Sequence, residues 1–374
     1  MTIYTTPLQF GYFLAWLLAI LLWLRGWREE RLSDTMLGFV LFLLAQELQD
    51  YTFGFAGINF LWDEMNGFPR STMLLFGPAV YFYLNAQINR DFRFSGKDLL
   101  NLIPYLLYFF FNLAIFLQGK VVVNHWQENQ IGNIFNIAER LAILISLIYY
   151  FTKSLKIYKH YRSWTETQFS DTEAVSFVWF RNFLYVIIIG QVFKWLWFGI
   201  DEVMNLDFYQ DWWWNLTEVL VVCYVGIKGY SQVQSKKLFF NEKLTVKNEN
   251  LAESFSKNET IPQDFELWKT KILKLMNEDK IYLEPELSLS DLAMKLKTNI
   301  SVLSSVINTI FGKNFNDFIN EFRVEEFKKQ IQNADNQHFT LLAIAFDCGF
   351  NSKATFNRAI KKFTGQSPKD FVSV

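Results

Sequence analysis

Polar and ionisable side chains recur inside long apolar stretches of the first 230 residues. Their spacing places them on common helix faces, because residues three or four apart are neighbours on a helix surface. Charged groups are costly in an apolar environment unless they pair or face a protein interior. Two interpretations therefore stay open: a polar pocket that holds a ligand, or groups that pair with one another for packing. The candidate pocket residues are Glu47, Asp50, Asn136, Glu139, Arg140, Gln191, Lys194 and Glu218.

A second polar group lies near the end of the chain, on a segment whose apolar residues have a helical period. Phe356, Ile360 and Phe363 form the apolar face of this predicted helix. The overall net charge of −1 says nothing about partners. Locally, however, the opposite face of the helix is basic, because it carries Lys353, Arg358, Lys361 and Lys362.

Histidine and cysteine residues are too few and too far apart for a metal site or a disulfide framework. None of His125, His160 and His338 has a second histidine three to five residues away, and the two cysteines lie in different parts of the chain. The sequence also lacks a phosphate-cradling glycine loop and an H-E-x-x-H motif. We therefore predict no metal, no cofactor and no catalytic residues, so the chain is not expected to be an enzyme.

The elements that carry the first polar group are predicted to be seven membrane-spanning helices. Hydrophobic residues make up 51% of the chain and charged residues only 20%, which is unlike an ordinary soluble enzyme. About 20 apolar residues are needed to cross the hydrocarbon core of a bilayer. Pro78 and Pro104 are predicted to kink two of the helices. The seven apolar runs are 8–24, 35–53, 71–88, 99–118, 131–150, 175–199 and 212–227.

The distribution of basic residues between these runs predicts their orientation. Lys and Arg are concentrated in the first, third and fifth connections and after the last run, whereas the other connections carry one or none. Because basic connections stay on the cytoplasmic side, the N-terminus is expected outside and the C-terminal region inside. With this topology the candidate pocket residues fall in the outer half of the bundle. The fifth connection, for example, carries Lys153, Lys156, Lys159 and Arg162.

The C-terminal part contains a first pair of short helices joined by a tight turn. Ser290 is the predicted N-cap of the leading helix, and Asn299 caps the helix 300–311. Gly312 follows that helix directly, as a C-terminal glycine should. This pattern predicts a helix-turn-helix motif, and a longer helix, 316–332, follows it.

A second copy of the pattern comes after the longer helix. Thr340 is the predicted cap of its leading helix, and Gly349 permits the tight turn. Ser352 caps the next helix, 353–363, and Gly365 ends it. The basic face described above therefore belongs to the second helix of a second helix-turn-helix motif.

Four short motifs mark these segments. They are S-x-S-D-L-A before the first turn, G-K-N-F-N-D-F-I-N-E-F-R-V into the longer helix, A-F-D-C-G-F-N-S in the second turn and F-T-G-Q-S-P-K-D-F near the end. Together they resemble the DNA-binding domain of AraC-type transcription regulators. In the first half, L-L-F-G-P-A-V-Y-F-Y and L-I-P-Y-L-L-Y-F are similar to the multi-span sensors that precede this domain in membrane-bound bacterial members.

The resemblance implies that the second helix of each motif enters the major groove of DNA. Arg358 would contact guanine through its fork of donors, and Lys361 and Lys362 would contact phosphates. Ser305 departs from the family pattern, since many relatives carry Lys or Arg there, so base readout is expected to depend more on the second motif. The implied DNA-contacting residues are Ser301, Ser304, Ser305 and Asn308 in the first motif and Lys353, Ala354, Thr355, Asn357, Arg358, Lys361 and Lys362 in the second.

We therefore expect an all-α protein with three parts: a seven-helix transmembrane bundle (1–230), a polar linker (231–263) and a cytoplasmic double helix-turn-helix domain (264–374). The expected function is that of a transcription regulator in the bacterial cytoplasmic membrane, which senses an external or membrane-borne cue and binds DNA. Its partners would be double-stranded DNA, the lipid bilayer and an unidentified small or membrane-borne ligand, and homodimerisation is left open. The alternative is a multi-span transporter with a regulatory DNA-binding tail.

Overall fold

The computed structural model is helical apart from one isolated β-bridge in the part of the chain that it describes. That part comprises residues 5–58, 64–173, 175–204, 206–207, 210–232, 240, 265–333 and 338–372. Most of the predicted linker, 233–239 and 241–263, lies outside the described residues. The chain divides into a first unit, Met1–Tyr158 with Val178–Phe239, and a second unit, Lys159–Phe177 with Phe240–Val374.

The first unit contains the apolar helices that the sequence predicts. Short 3₁₀ turns, Met73–Leu75 and Asp98–Leu102, precede the third and fourth of them. The helices are α1 (Thr5–Arg28), α2 (Leu32–Phe55), α3 (Phe76–Ile88), α4 (Ile103–Phe116), α5 (Lys120–Glu128), α6 (Gln130–Gln168), α7 (Val178–Met204) and α8 (Trp212–Tyr230).

Within the described residues, four helical segments are long and apolar enough to cross a membrane. The other three predicted spans, on α2, Met73–Ile88 and α8, are not among these segments. Met73–Ile88 is apolar but shorter. The presence of all seven spans therefore stays a prediction. The four segments are Thr5–Arg28, Asp98–Phe116, Gln130–Gln168 and Val178–Asp201.

Two details refine the sequence-based prediction. Pro78 and Pro104 lie in the first turn of α3 and α4, directly after the two 3₁₀ turns, so the predicted kinks would fall where 3₁₀ helix passes into α-helix. The helix predicted over 131–150 extends to Gln168, so the basic residues assigned to the fifth connection lie on α6 instead. The extension has a simple cause, because neither Gly nor Pro occurs between Gly132 and Gly190.

Close helix packing in the first unit depends on small residues and one buried ion pair. Ala15 and Ala19 of α1 are fully buried where α1 packs on α2. Gly38 of α2 has no room for a side chain, since a Cβ there would lie 2.7 Å from the Trp23 ring. Arg25 binds Asp34 with Nε–Oδ2 and Nη2–Oδ1 distances of 2.7 and 2.8 Å. This bidentate pair joins the end of α1 to the start of α2.

The second unit combines the end of α6, from Lys159, with the C-terminal helices. A 3₁₀ turn, Ile281–Leu283, separates the first two of these helices. The helices are α9 (Phe265–Asn277), α10 (Leu289–Lys295), α11 (Ile300–Phe311), α12 (Phe315–Ile331), α13 (Leu341–Asp347), α14 (Lys353–Thr364) and α15 (Pro368–Val372).

Helix α12 contributes to two separate hydrophobic cores. One core packs α9, α10 and α11 against the start of α12, with Leu303 and Phe318 both almost fully buried. The other packs α13 and α14 against the end of α12, around Phe327 and Phe356. The rings of these two residues lie edge to face, 4.8 Å apart. The two helix-turn-helix motifs, α10–α11 and α13–α14, are thus held by one connecting helix.

The caps that delimit these helices agree with the sequence in all but one case. Asn299, Thr340 and Ser352 each accept a backbone N–H bond at their helix N-termini, as predicted. The N-cap of α10, however, is Ser288 and not Ser290. Asp291 decides between the two serines, because it lies three residues after Ser288 and completes a capping box with it.

Candidate nucleic-acid interface

Helices α11 and α14, the second helices of the two motifs, have the same length and the same kinds of helix cap. Each has 12 residues, a side-chain N-cap and a glycine in left-handed conformation at its C-terminus. Their buried apolar residues fall at the same positions, since Leu303 and Ile307 of α11 correspond to Phe356 and Ile360 of α14. Aligned in this way, Ser305 of α11 corresponds to Arg358 of α14.

The predicted contact residues of α11 form an uncharged polar surface. Ser301, Ser305 and Asn308 are exposed, and Ser304 is half-buried. The helix contains neither Lys nor Arg. It can offer hydroxyl and amide groups to a nucleic acid, but no cation of its own.

The predicted contact residues of α14 form a cationic surface. Lys353, Asn357 and Lys361 are exposed, whereas Thr355 is almost fully buried. Lys362 also reaches the surface, where its Nζ lies 2.6 Å from Asp317 Oδ1 of α12. Lys353, Asn357 and Lys361 follow one another at four-residue intervals, so they share one face of the helix and can follow a line of phosphates.

Arg358 and Thr355 are engaged by a short segment between α6 and α7. This segment, residues 169–173, is called the acidic loop. Arg358 forms an ion pair with Glu173 and donates a 3.3 Å hydrogen bond from Nη1 to Thr172 Oγ1. Thr355 Oγ1 donates a 2.7 Å hydrogen bond to Asp171 Oδ1, which explains the burial of this threonine.

Ser170 anchors the acidic loop to α12 and to the turn before α10. Its carbonyl oxygen accepts hydrogen bonds from Asn316 Nδ2 at 2.8 Å and from Asn320 Nδ2 at 3.0 Å. Its N–H and hydroxyl both donate to the Leu287 carbonyl, at 3.1 and 2.7 Å. Phe169 and Ser288 form an antiparallel bridge beside it. The loop is therefore held through backbone groups as well as side chains.

The guanidinium of Arg323 is buried beneath this anchor. Its Nε donates to the Tyr282 carbonyl at 2.7 Å, and its Nη2 donates to the Glu284 carbonyl at 2.7 Å and to Ser170 Oγ at 3.1 Å. Burial lowers the pKa of Arg323 to about 10, while the charge of Asp171 acts in the opposite direction. The hydrogen-bond donors of the buried guanidinium are thus used partly by the carbonyl groups of Tyr282 and Glu284 and partly by the Ser170 hydroxyl of the acidic loop.

Two other titratable groups of the C-terminal helices have shifted pKa values. Burial alone would raise the pKa of Glu326, but hydrogen bonds from Gln330, Lys280 and Tyr282 lower it below its ordinary value. Burial raises the pKa of the Cys348 thiol to about 12, so this cysteine is a core residue and not a nucleophile.

Sequence reasoning missed the acidic loop, although two patterns point to it. Asp171 and Glu173 follow a run of basic residues directly and reverse its charge. Asn316, Asn320 and Arg323 are polar residues at positions i, i+4 and i+7 of α12, so they share one helix face that has no apolar role.

The predicted pocket residues of the first unit are only partly brought together. Lys194 Nζ lies 2.9 Å from Glu47 Oε2, and both side chains are about 15% exposed or less. The ammonium group also lies 4.6 Å from the centre of the Trp214 ring. Glu218 is 4% exposed and lies within electrostatic range of both charges. We call Glu47, Lys194, Glu218, Glu139 and Arg140 the polar cluster.

The other members of the predicted pocket have different surroundings. Glu139 forms hydrogen bonds with Ser71 and Tyr108 and is in electrostatic range of Glu47. Asp50 pairs instead with Arg70, at 3.0 Å, and Asn136 is exposed. Gln191 is half-buried.

Next to the polar cluster, two buried polar atoms lack a hydrogen-bond partner among the described residues. They are Nε1 of Trp214, a donor, and Oδ1 of Asn215, an acceptor. Both residues are almost fully buried. Unpaired buried polar atoms are costly, so a hydrogen-bond partner at either atom would be stabilising. The described part of the chain has no group of His, Cys, Asp and Glu that could hold a metal ion.

Residues 292–373 match a family model described as "Helix-turn-helix domain". The C-terminal part of this chain is a helix-turn-helix domain, with the AraC-type arrangement of two motifs on one connecting helix. This match is to a DNA-binding module, in line with the prediction that the chain is not an enzyme. No solved structure matches the chain significantly.

Curated relatives resemble about a quarter of the chain. An uncharacterized HTH-type transcriptional regulator of Staphylococcus aureus strain COL is 34% identical over 106 residues, which cover 26% of this chain and 14% of that protein. A regulator with the same description from strain MSSA476 gives the same identity and coverage. The chain thus spans about 14% of the length of these relatives.

Proposed function

We propose that this protein is a membrane-anchored one-component transcription regulator. In this proposal the first unit senses an external or membrane-borne cue, and the helix-turn-helix domain binds double-stranded DNA in a sequence-specific way. The observation that carries the proposal is the exposed cationic face of α14 within a double helix-turn-helix domain. A cationic helix face of this kind suits the major groove, where phosphates flank readable base edges.

DNA binding is tested with the full chain in lipid nanodiscs. The protein is used to enrich duplexes from a random library, and the affinity for the enriched duplex is compared with that for a scrambled one. We expect specific binding to exceed non-specific binding by ~10³-fold or more, as in other specific regulators. Equal affinity for both duplexes would contradict sequence-specific regulation.

The membrane part of the proposal is supported by four helical segments of spanning length and by the alternation of basic connections. We propose seven spans, with the N-terminus outside and the C-terminal domain in the cytoplasm. Reporter fusions test each connection, and one well-behaved fusion of the opposite sign would change the number of spans. Cytoplasmic signals are expected after Arg28, Arg93, Lys159 and Lys237, and external signals after Asp63, Asn124 and Asp207.

The polar cluster is proposed as the sensing site. The closeness of Glu47, Lys194 and Glu218 and the unpaired atoms of Trp214 and Asn215 support a site for a small polar ligand. The predicted pocket residues outside the cluster, Asp50, Asn136 and Gln191, would then border the site.

Neutralising the polar cluster is expected to change signalling and leave DNA recognition intact. Glu218→Gln removes a buried charge beside Lys194 and should shift transcription from a reporter that carries the enriched site. Glu128→Gln, at an exposed position of α5, is the matched control. If Glu218→Gln and the control give the same reporter output under all growth conditions tested, the cluster is a packing feature.

A further inference from the structure

The acidic loop covers the atoms of α14 that the proposed function assigns to DNA. Arg358, the residue expected to read guanine, pairs with Glu173, and Thr355 is bonded to Asp171. A carboxylate bound to an arginine fork uses the same donors that would bind the O6 and N7 atoms of guanine. DNA and the acidic loop therefore cannot occupy Arg358 together.

The position of Asp171 strengthens this competition. Its carboxylate lies at the N-terminal turn of α14, where exposed N–H groups and the helix dipole favour a negative charge. A DNA phosphate would favour the same place for the same reason. The loop thus places the Glu173 carboxylate on the arginine that is expected to contact a base. It places the Asp171 carboxylate at the helix end where a DNA phosphate would bind.

The contact between the acidic loop and the C-terminal helices includes several buried hydrogen bonds. Asn316, Asn320 and Arg323 on one face of α12 all bind Ser170, through its carbonyl oxygen or its hydroxyl. Ser170 is fully buried, as is Arg323. These side chains recognise backbone and hydroxyl groups of the loop, so their contacts add to those that the two carboxylates make with α14.

We propose that the acidic loop is an internal inhibitor, which holds the recognition surface of α14 closed until a cue withdraws it. This inference rests on the proposed function, since it assigns the regulation of the DNA-binding surface. The loop is the direct chain connection between α6 and α7, and these helices carry Glu139, Arg140 and Lys194 of the polar cluster. A rearrangement of the polar cluster would therefore move α6 or α7, and the acidic loop is covalently joined to both helices through the connecting segment.

The first test compares a release variant with a charge-matched control. Asp171→Asn/Glu173→Gln removes the two carboxylates but keeps the backbone anchor at Ser170. Glu266→Gln/Glu278→Gln removes two acidic charges from α9 and the residue after it, away from the loop. Affinity for the duplex enriched by the release variant is measured by fluorescence anisotropy with the full chain in nanodiscs.

We expect the release variant to bind about tenfold or more tightly than the wild type, because a loop that is docked nine-tenths of the time raises the apparent Kd about tenfold. The control should bind like the wild type. Equal affinity of the release variant and the wild type, or an equal gain in the control, would overturn the inference.

The second test locks the loop in place reversibly. Phe169 and Ser288 are bridge partners, and paired residues in an antiparallel bridge have Cα atoms within the range of a disulfide. Phe169→Cys/Ser288→Cys should lose at least tenfold in DNA affinity on oxidation and regain it with reductant. The reduced sample is its own control for folding. Unchanged affinity after verified cross-linking would overturn the inference.

The outcomes separate this inference from the proposed function. If wild type and release variant bind DNA equally and Arg358→Ala weakens both, the DNA-binding function stands and the inhibitory role falls. If neither protein binds any duplex more tightly than a scrambled one, both proposals fall.

Discussion

The two recognition helices, α11 and α14, are built alike and exposed differently. They share their length, a side-chain N-cap, a C-terminal glycine and the positions of their buried apolar residues. On their exposed faces they diverge, because Ser305 of α11 stands where α14 has Arg358. The comparison separates two requirements. The buried face decides that a helix-turn-helix forms, whereas the exposed face decides what it binds and what can block it.

The charge of the exposed face also decides which helix the chain itself engages. In the described residues, the hydrogen bonds of the acidic loop go to α14, to α12 and to the segment before α10. Helix α11 has no cation to attract a carboxylate, and Val302, which corresponds to Thr355, is 39% exposed. The acidic loop thus engages the helix for which we propose the larger share of DNA readout.

The largest expected difference between the helices concerns Arg358 and Ser305. Arg358→Ala should cost about 1–3 kcal/mol on the enriched duplex and relax selection at one base pair, because a bidentate guanine contact is lost. Ser305→Ala should cost less than about 1 kcal/mol, since it removes one neutral hydroxyl. Both are measured in the Asp171→Asn/Glu173→Gln background, so that loss of the loop contact does not mask the result.

Random DNA provides the control for this prediction. If Arg358→Ala loses the same affinity on enriched and random duplexes, Arg358 is a phosphate contact. Base readout would then have to come from Lys353, Asn357 and the serines of α11, and the proposed division between the helices would be reversed.

Local sequence was sufficient to predict the recognition helices but not the contact between α14 and the loop. Asn299, Gly312, Ser352 and Gly365 act within one helical turn, so their effect can be predicted without knowing the fold. The choice of Ser288 over Ser290 required one residue more, Asp291. In each of these cases the decisive partner lies a few residues away.

The acidic loop joins residues far apart in the chain, and no short-range pattern encodes such a pairing. Arg358 and Glu173 are 185 residues apart, and Asn320 and Ser170 are 150 apart. The polar cluster shows the same limit, since helix periodicity placed Glu47 and Asp50 on one face but did not decide their partners. Glu47 binds Lys194, 147 residues away, whereas Asp50 binds Arg70.

Introducing a cation on α11 should reduce the difference in DNA binding between α11 and α14. Ser305→Arg places a guanidinium at an exposed position that corresponds to Arg358. We expect tighter binding to all duplexes and a dependence of log K on log salt that is steeper by about 0.9, as for one added phosphate contact. Ser305→Gln, which adds length without charge, should leave the salt dependence unchanged. An unaltered slope for Ser305→Arg would mean that this face of α11 does not approach DNA.

The smallest expected effect concerns Lys362, whose Nζ lies 2.6 Å from Asp317 Oδ1. Asp317→Asn should free this cation and strengthen binding to enriched and random duplexes alike, by about 0.2–1 kcal/mol, since an exposed ion pair of this kind is weak. Lys362→Ala should weaken both and reduce the salt dependence by about 0.9. The double variant decides whether the two residues act together. If Asp317→Asn still strengthens binding when Lys362 is alanine, the gain comes from removing a negative charge near DNA, and Lys362 would not be the phosphate contact that distinguishes α14.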